Sequence, residues 1–448
     1  MKLAVIGGGS TYTPELVDGV TRLRDILPIT ELVLIDPAID RLEPVGGLAA
    51  RMFARAGHPG TVRWTADLAE GVAGAAAVLI QLRVGGQAAR QVDETLPLRC
   101  GCVGQETTGA GGLAKALRTV PVVLDIAERV TALAPNAWII DFTNPVGIVT
   151  RALLDAGHRA IGLCNVAIGF QRRFAGLLGV DPGRVRLGHV GLNHLTWERT
   201  VHLDGEDVLP KLLAAYGEEL AAELELPAGL IRRLGVVPSY YLRYFYEHDL
   251  VVKEQLAAPS RAEEVAAIER ELLEMYADPT LNTKPALLDR RGGAYYSEAA
   301  VDLLASLLGG RGGRAEVAGD VGDVGDVGDV GGDAGGGVAD DEGDVQVANV
   351  RNDGTLPFLP DQAVIEVPAR ITAAGAVPLP VDPVEPLYAG LIAHVSAYEE
   401  LAVDAARHGG FDRVATALLA HPLIGRREQA DRLARDLIAA NRAHLGWA

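Results

Sequence analysis

Short apolar runs rich in branched residues recur through the first third of the chain: LAVIG (3–7), LVLID (32–36), TVRWT (61–65), AAVLIQL (76–82) and AWIIDFT (137–143). Most are separated by segments with apolar residues at helical spacing, such as PELVDGVTRLRDI and LRTVPVVLDIAERVTAL. Unbroken apolar strands alternating with amphipathic helices build a parallel sheet covered on both faces. RAIGLC (159–164) adds a sixth candidate strand. The pattern predicts an α/β fold whose first domain, residues 1–165, is a doubly wound, Rossmann-type, nucleotide-binding sheet.

Beyond Gly191 the pattern changes. WERTVHLDGEDV reads as a hairpin around Asp204-Gly205. Helical patterns follow at about 259–278, 297–308, 386–407 and 426–445, with strands near 345–350 and 363–371. These elements predict a mixed α/β second domain, 166–448, wrapped on the first and carrying the substrate and catalytic groups. Within it, GDVGDVGDVGDVGGDAGGGVADDEGD (319–344) is of low complexity, and its three-residue period matches neither a calcium β-roll nor collagen. Its composition reads as a disordered surface insertion, spanning about 311–344, with a weak calcium site as the alternative.

Charge narrows the partners. The net charge of −18 argues against nucleic acid and anionic membranes, although residues 311–344 alone hold ten acidic residues against two arginines. No apolar run approaches the roughly 20 residues that span a bilayer. A strand begins at once in MKLAVIGGG, which leaves no room for a signal peptide. Three cysteines, Cys100, Cys102 and Cys164, cannot build a disulfide framework, so a reducing cytoplasm is expected.

Two local patterns carry chemistry. VIGGGSTYTPEL follows the first strand and opens the first helix, where Gly7 and Gly9 allow a tight turn and close approach to a pyrophosphate. The helix N-terminus behind the turn favours that negative charge. The third glycine of the fingerprint is replaced by Tyr12. Asp36, ending the second strand, is placed to hold a ribose hydroxyl and favours NAD over NADP, although Arg41 nearby would suit a phosphate. The second pattern is GLCNVAIG with VGLNHLTW. Cys164 ends a strand, as does Asn144 in DFTNPVG, and His194 ends the strand-like run LGHVGLN. Ligands of open α/β sheets bind beyond the carboxyl ends of strands. A thiolate and an imidazole suit a borderline divalent metal, and two protein ligands leave a site open to substrate or water. Spacing alone favours the plainer alternative of a core cysteine and a core histidine.

VIGGGSTYTPELV, QLRVGG, LPLRCGCVGQETTGAGG, DFTNPVG, GLCNVAIG, VGLNHLTW, YLRYFY and RRGGAYYSEAA together resemble the NAD- and metal-dependent glycosidases of glycoside hydrolase family four, and most of all its 6-phospho-β-glucosidases. The likeness runs from Met1 to about Leu445, interrupted by the acidic insertion. It implies an architecture related to lactate and malate dehydrogenases, and a phosphorylated sugar as substrate. It also implies a redox-neutral cycle rather than the paired carboxylates of ordinary glycosidases. Bound NAD oxidises the sugar at C3, a base removes the C2 proton, the C1–oxygen bond breaks by elimination, water adds, and the hydride returns.

By the same resemblance, Cys164 and His194 are metal ligands, usually for manganese, and Tyr241 is the base, with Tyr240 its immediate neighbour. Asn165 stands where α-active members typically have a proton-donating aspartate, which points to the β-active branch. Gly7, Gly9, Ser10, Thr11, Asp36 and Asn144 are expected at the cofactor. Asn144, Asn165 and Asn193 are expected at the sugar, Arg83, Arg90 and Arg291 at its 6-phosphate, and Glu106 as a polar contact. A homodimer or homotetramer is expected. The alternatives are an α-active or non-phosphorylated-substrate member of the family, an NAD-dependent 2-hydroxy-acid dehydrogenase, and a non-catalytic NAD-binding sensor.

Overall fold

The computed structural model describes residues 1–292, 295–309 and 343–448. Six parallel strands form first: β1 (Lys2–Ile6), β2 (Glu31–Ile35), β3 (Thr61–Thr65), β4 (Ala77–Ile80), β5 (Trp138–Asp141) and β6 (Ala160–Gly162). They lie in the order β3-β2-β1-β4-β5-β6, so the chain starts at the centre and winds outward both ways, as in dinucleotide-binding folds. Every residue of β4 and β5 is buried, which is why both read as unbroken apolar runs.

Four strands follow in a smaller sheet: β7 (Val185–Leu192), β8 (Leu195–Leu203), β9 (Glu206–Asp207) and β10 (Val237–Pro238). β8 pairs antiparallel with β7, β9 and β10. Asp204 and Gly205 make the turn between β8 and β9, both at positive φ. β7 and β8 meet at Leu192↔Leu195, leaving Asn193 and His194 as a two-residue turn. His194 therefore sits on a hairpin tip rather than at the end of a strand.

The last strands, β11 (Asp344–Arg351), β12 (Val364–Thr372) and β13 (Gly375–Pro378), return to the first sheet. β11 pairs antiparallel beside β6 through Asn349↔Gly162, giving nine strands among the described residues. The sheet therefore crosses the boundary expected at residue 165. The main core likewise combines Leu3 and Ile140 with Ile365, Ile392 and Leu437. A second, smaller core, from Phe174 to Val237, lies under the β7–β8 sheet. The four later helices fall where the periodicity puts them, at Arg261–Ala277, Tyr296–Leu307, Pro386–His408 and Arg427–Asn441. The acidic insertion lies outside the described residues except at its end, where Asp344 already belongs to β11 and accepts from the Ser306 hydroxyl at 2.8 Å. Among the described residues, no helix is long and apolar enough to cross a membrane.

Candidate functional site

The turn after β1 is held by main chain. Gly7 and Gly8 both donate to the Ile35 carbonyl, at 2.9 and 3.0 Å, and Gly7 takes a φ of 82°. A Cβ on Gly8 would stand 2.7 Å from the Leu34 side chain, so the middle glycine is also needed to seat the turn on β2. Asp36 accepts from the amides of Gly9 (3.1 Å) and Ala38 (3.0 Å), which fixes its carboxylate beside the turn. Arg41 donates to the Gly9 carbonyl and pairs with Glu269, so its charge already has a partner. Ser10 accepts from the Tyr12 amide as the helix Thr13–Arg22 begins. Thr11 departs from expectation: its side chain is fully buried, its hydroxyl bonds Glu269, and its carbonyl accepts from Tyr276. It braces the turn from within rather than offering a side chain to a cofactor. Tyr12, in place of the third glycine, packs edge-on against Tyr296 with the Arg291 guanidinium over its ring. Across the sheet, Asn144 lies beyond the end of β5, with its buried Oδ1 met by no protein donor. That orphaned acceptor and the glycine turn fit a dinucleotide running between them.

Cys164 lies just beyond β6, at the start of the helix Val166–Leu178. The Val166 and Asn165 amides and the Asn193 side chain lie close enough to its sulfur to favour the thiolate. Burial nevertheless pushes the thiol up, helped by the negative charge of Glu366. Asn165 is the N-cap residue of that helix and stands beside the sulfur. His194, the neighbour of Asn193, is 7% exposed and takes a φ of 64°. The left-handed region is strained for a residue with a full side chain, and such strain gathers at functional sites. Burial lowers the His194 imidazole to about 4, so the ring is neutral at neutral pH. The Tyr241 ring stacks on it, centroids 3.7 Å apart and 11° from parallel. Burial, with Tyr240 beside it, holds the Tyr241 phenol well above its ordinary value. Among the described residues no group of three His, Cys, Asp or Glu side chains converges to hold a metal. The sulfur and the neutral imidazole are nonetheless a donor pair that suits a borderline divalent cation with positions left open. A cleft opens beside this corner, lined among others by Thr107, Asn193, His194, Tyr241 and Glu399.

The expected phosphate arginines gather around three buried carboxylates, Glu106, Glu94 and Glu269. Arg83 forks onto Glu106, its Nη2 3.2 Å from Oε1. Arg90 reaches Glu106 at 3.1 Å and Glu94 at 2.7 Å. Lys115 reaches Glu106 at 2.7 Å. Burial opposes a charge on Glu106, but Arg83, Lys115 and Arg90 outweigh it and hold its carboxyl well below the usual range. Glu106, expected as a polar contact, is thus the counter-charge that gathers these cations. Arg291 pairs with Glu269 at 3.1 Å and lies close enough to Arg83 and Arg90 to feel their charge. Burial and the neighbouring Arg83 bring Lys115 down to about 7.

Several residues behind the site carry no local sequence signal. Glu366 on β12, 1% exposed, accepts from Asn193 and Asn349, both at 2.9 Å. His189 on β7 bridges Glu198 (2.6 Å) and Glu366 (3.1 Å). Burial disfavours its charge, but the two carboxylates raise it to about 10, so a buried imidazolium sits between two buried anions. Lone buried acids and a strand histidine look like surface residues in a sequence.

Fold and site together define a protein of the dinucleotide-binding, dehydrogenase-like class, with a two-donor corner and an arginine cluster beyond the strand ends. The Family 4 glycosyl hydrolase model matches residues 2–180, and the model of its C-terminal domain matches 189–323 and 336–424. The chain belongs to glycosyl hydrolase family 4. It is 36% identical to a probable 6-phospho-β-glucosidase of Bacillus subtilis, with 99% of this chain and 97% of that one covered. It is 34% identical to a 6-phospho-β-glucosidase of Escherichia coli, at 100% and 96% coverage. The 6-phospho-β-glucosidase of Thermotoga maritima, solved with NAD and glucose-6-phosphate, matches with a TM-score of 0.87 at 31% identity, each chain 99% covered. The same enzyme with manganese, NAD⁺ and glucose-6-phosphate also gives 0.87, at 32% identity and 99% coverage of each chain. A malate dehydrogenase of Salinibacter ruber, 15% identical with a TM-score of 0.51 over 91% of this chain and 98% of its own, shares the fold alone.

Proposed function

We propose that this chain hydrolyses 6-phospho-β-glucosides by the redox-neutral elimination route, using NAD and a divalent cation, manganese by its relatives. The observation that carries the reading is Tyr241 stacked on His194, in a corner that also holds Cys164 and faces the strand ends. Full-length relatives that are 6-phospho-β-glucosidases, with glucose-6-phosphate, NAD and manganese in solved structures, support it. When bound, NAD supplies a reversible hydride acceptor for C3, and the cation supplies positive charge beside the sugar's O2 and O3.

The chain's residues do the rest. The Gly7–Gly9 turn and the following helix receive the pyrophosphate, Asp36 the ribose, and Asn144 offers its unpartnered oxygen to the cofactor or sugar. Cys164 and His194 hold the cation. Arg83, Arg90 and Arg291 grip the 6-phosphate, and with it the ring's position over Tyr241. Tyr241 takes the C2 proton on its phenol oxygen. Burial keeps that phenol protonated in the free protein, so it becomes a base only with positive charge alongside. Asn165 contacts the sugar but cannot protonate a leaving group as an aspartate could, which favours β-linked substrates. Three free cysteines fit a cytoplasmic setting, and a homodimer or homotetramer is the expected assembly.

The test is hydrolysis of chromogenic glycosides, α and β, with and without 6-phosphate, at sub-stoichiometric NAD. The reading requires many turnovers per NAD on the phosphorylated β-glucoside alone. NADH accumulating in step with product would instead mark a dehydrogenase.

A further inference from the structure

Resting on the reading of His194 as a cation ligand, we infer that Gln105 and Thr107 form a positioning relay that fixes which His194 nitrogen offers its lone pair to the cation. Neutral imidazole binds a metal through the nitrogen without a proton, and the hydrogen bond at the other nitrogen decides which that is.

The chain of bonds starts at Gln105. Its Oε1 accepts from the Thr107 amide and from the Thr108 amide at 3.1 Å. Both donors are backbone N–H groups, so the atom they meet must be the oxygen and the side-chain amide cannot be flipped. The same Oε1 also receives the Thr107 hydroxyl at 2.8 Å. A threonine has one hydroxyl proton, and here it is spent on Gln105. Thr107 Oγ1 lies 3.0 Å from His194 Nδ1 and so can only accept there. Nδ1 therefore carries the ring proton, and Nε2 keeps the lone pair. Stacking against Tyr241 fixes the ring plane, so the relay and the stack together set both the identity and the aim of the donor atom.

Proton positions are read directly by long-range ¹H–¹⁵N correlation on the metal-free, full-length chain with ¹⁵N-labelled histidine, the His194 signals being assigned by loss in His194→Gln. The relay predicts the Nδ1–H form in the wild type. Gln105→Leu frees the Thr107 hydroxyl to donate, so the ring should switch toward Nε2–H, whereas Gln105→Glu keeps the acceptor and the Nδ1–H form. Thr107→Val, close in shape, should remove the bias, and Thr107→Ser should retain it; this pair decides the matter if Gln105→Leu does not fold. Mn²⁺ affinity, read from the spin-resonance signal of the unbound ion, should fall about 10–100-fold in Gln105→Leu and Thr107→Val and hold in Thr107→Ser. An Nε2–H ring in the wild type, or a tautomer indifferent to both Gln105→Leu and Thr107→Val, overturns the relay. Tautomers that follow the relay with Mn²⁺ affinity unchanged would leave the hydrogen bonds standing and overturn His194 as a ligand.

Discussion

The two ends of the site are built differently. At the turn after β1, the groups offered to a ligand are main-chain N–H groups, held by main-chain bonds to Ile35 and by one carboxylate, Asp36. At the Cys164–His194 corner, the groups proposed to work are side chains, surrounded by Gln105, Thr107, Asn193, Glu366 and His189 from three separate parts of the chain. A backbone site needs little beyond a chain that can bend sharply and approach closely. A side-chain site must have its rotamers, tautomers and charges fixed by buried polar groups, each costly if left unpaired.

Replacing the working atom itself should have the largest effect. Cys164→Ser removes the thiolate, and turnover should fall by about 10³-fold or more, since a cation at a reacting centre is worth several kcal/mol. NAD affinity, measured by fluorescence titration, should be nearly unchanged, because the turn does not depend on that corner. Parallel loss of both would erase the contrast between the two ends.

Replacing the charge behind the corner comes next. His189→Gln leaves Glu198 and Glu366 buried without their shared cation, and urea unfolding at neutral pH should show a loss of about 3–5 kcal/mol. The sign with pH follows from the raised value. A histidine bound more tightly to its proton in the folded state gives its full stabilisation below about pH 6.5. That stabilisation fades as pH rises through about 10. The gap between wild type and His189→Gln should therefore narrow from neutral pH upward. A constant gap would mean that His189 stabilises by packing and not by charge.

Arg83→Lys keeps a charge but loses the fork onto Glu106, and discrimination for the phosphorylated over the plain β-glucoside should drop by roughly 1–3 kcal/mol, measured as the ratio of kcat/KM values. Loss in kcat/KM for both substrates alike would place Arg83 away from the phosphate. The smallest effect is expected in the acidic insertion, where the family model is itself interrupted between residues 323 and 336. Replacing residues 312–341 with a short glycine–serine linker should leave the thermal midpoint and turnover within error, provided Asp344 keeps its place in β11. A marked fall in either would show that the insertion packs or binds an ion.

The same contrast explains what could be read from the residues alone. The parallel strands other than the edge strand β3 stand out because they are buried on both faces and their apolar runs are unbroken. The glycine turn stands out because glycine is needed where Gly7 takes positive φ, and Asp36 because it follows its strand directly. The return of β11 to pair with β6 could not be read, since one ladder contact, Asn349↔Gly162, joins positions far apart in sequence. Cys164, His194 and Tyr241 were marked as candidates through family motifs, not through spacing. Glu366, His189 and Lys115 were not, because nothing local distinguishes a buried charge from an exposed one. Thr11 and Glu106 were candidates too, but their buried partners could not be read locally: Thr11 bonds Glu269, and Glu106 meets Arg83, Arg90 and Lys115.

The central claim is that this corner removes a proton from C2 of the sugar before the glycosidic bond breaks, with Tyr241 as the base. The direct measurement is hydrolysis of a 6-phospho-β-glucoside in deuterium oxide, with the released glucose-6-phosphate examined by NMR at C2. The account predicts deuterium at C2 of the product. It also predicts loss of both turnover and C2 exchange in Tyr241→Phe, with NAD binding kept. Product formed at full rate with only hydrogen at C2 would contradict it.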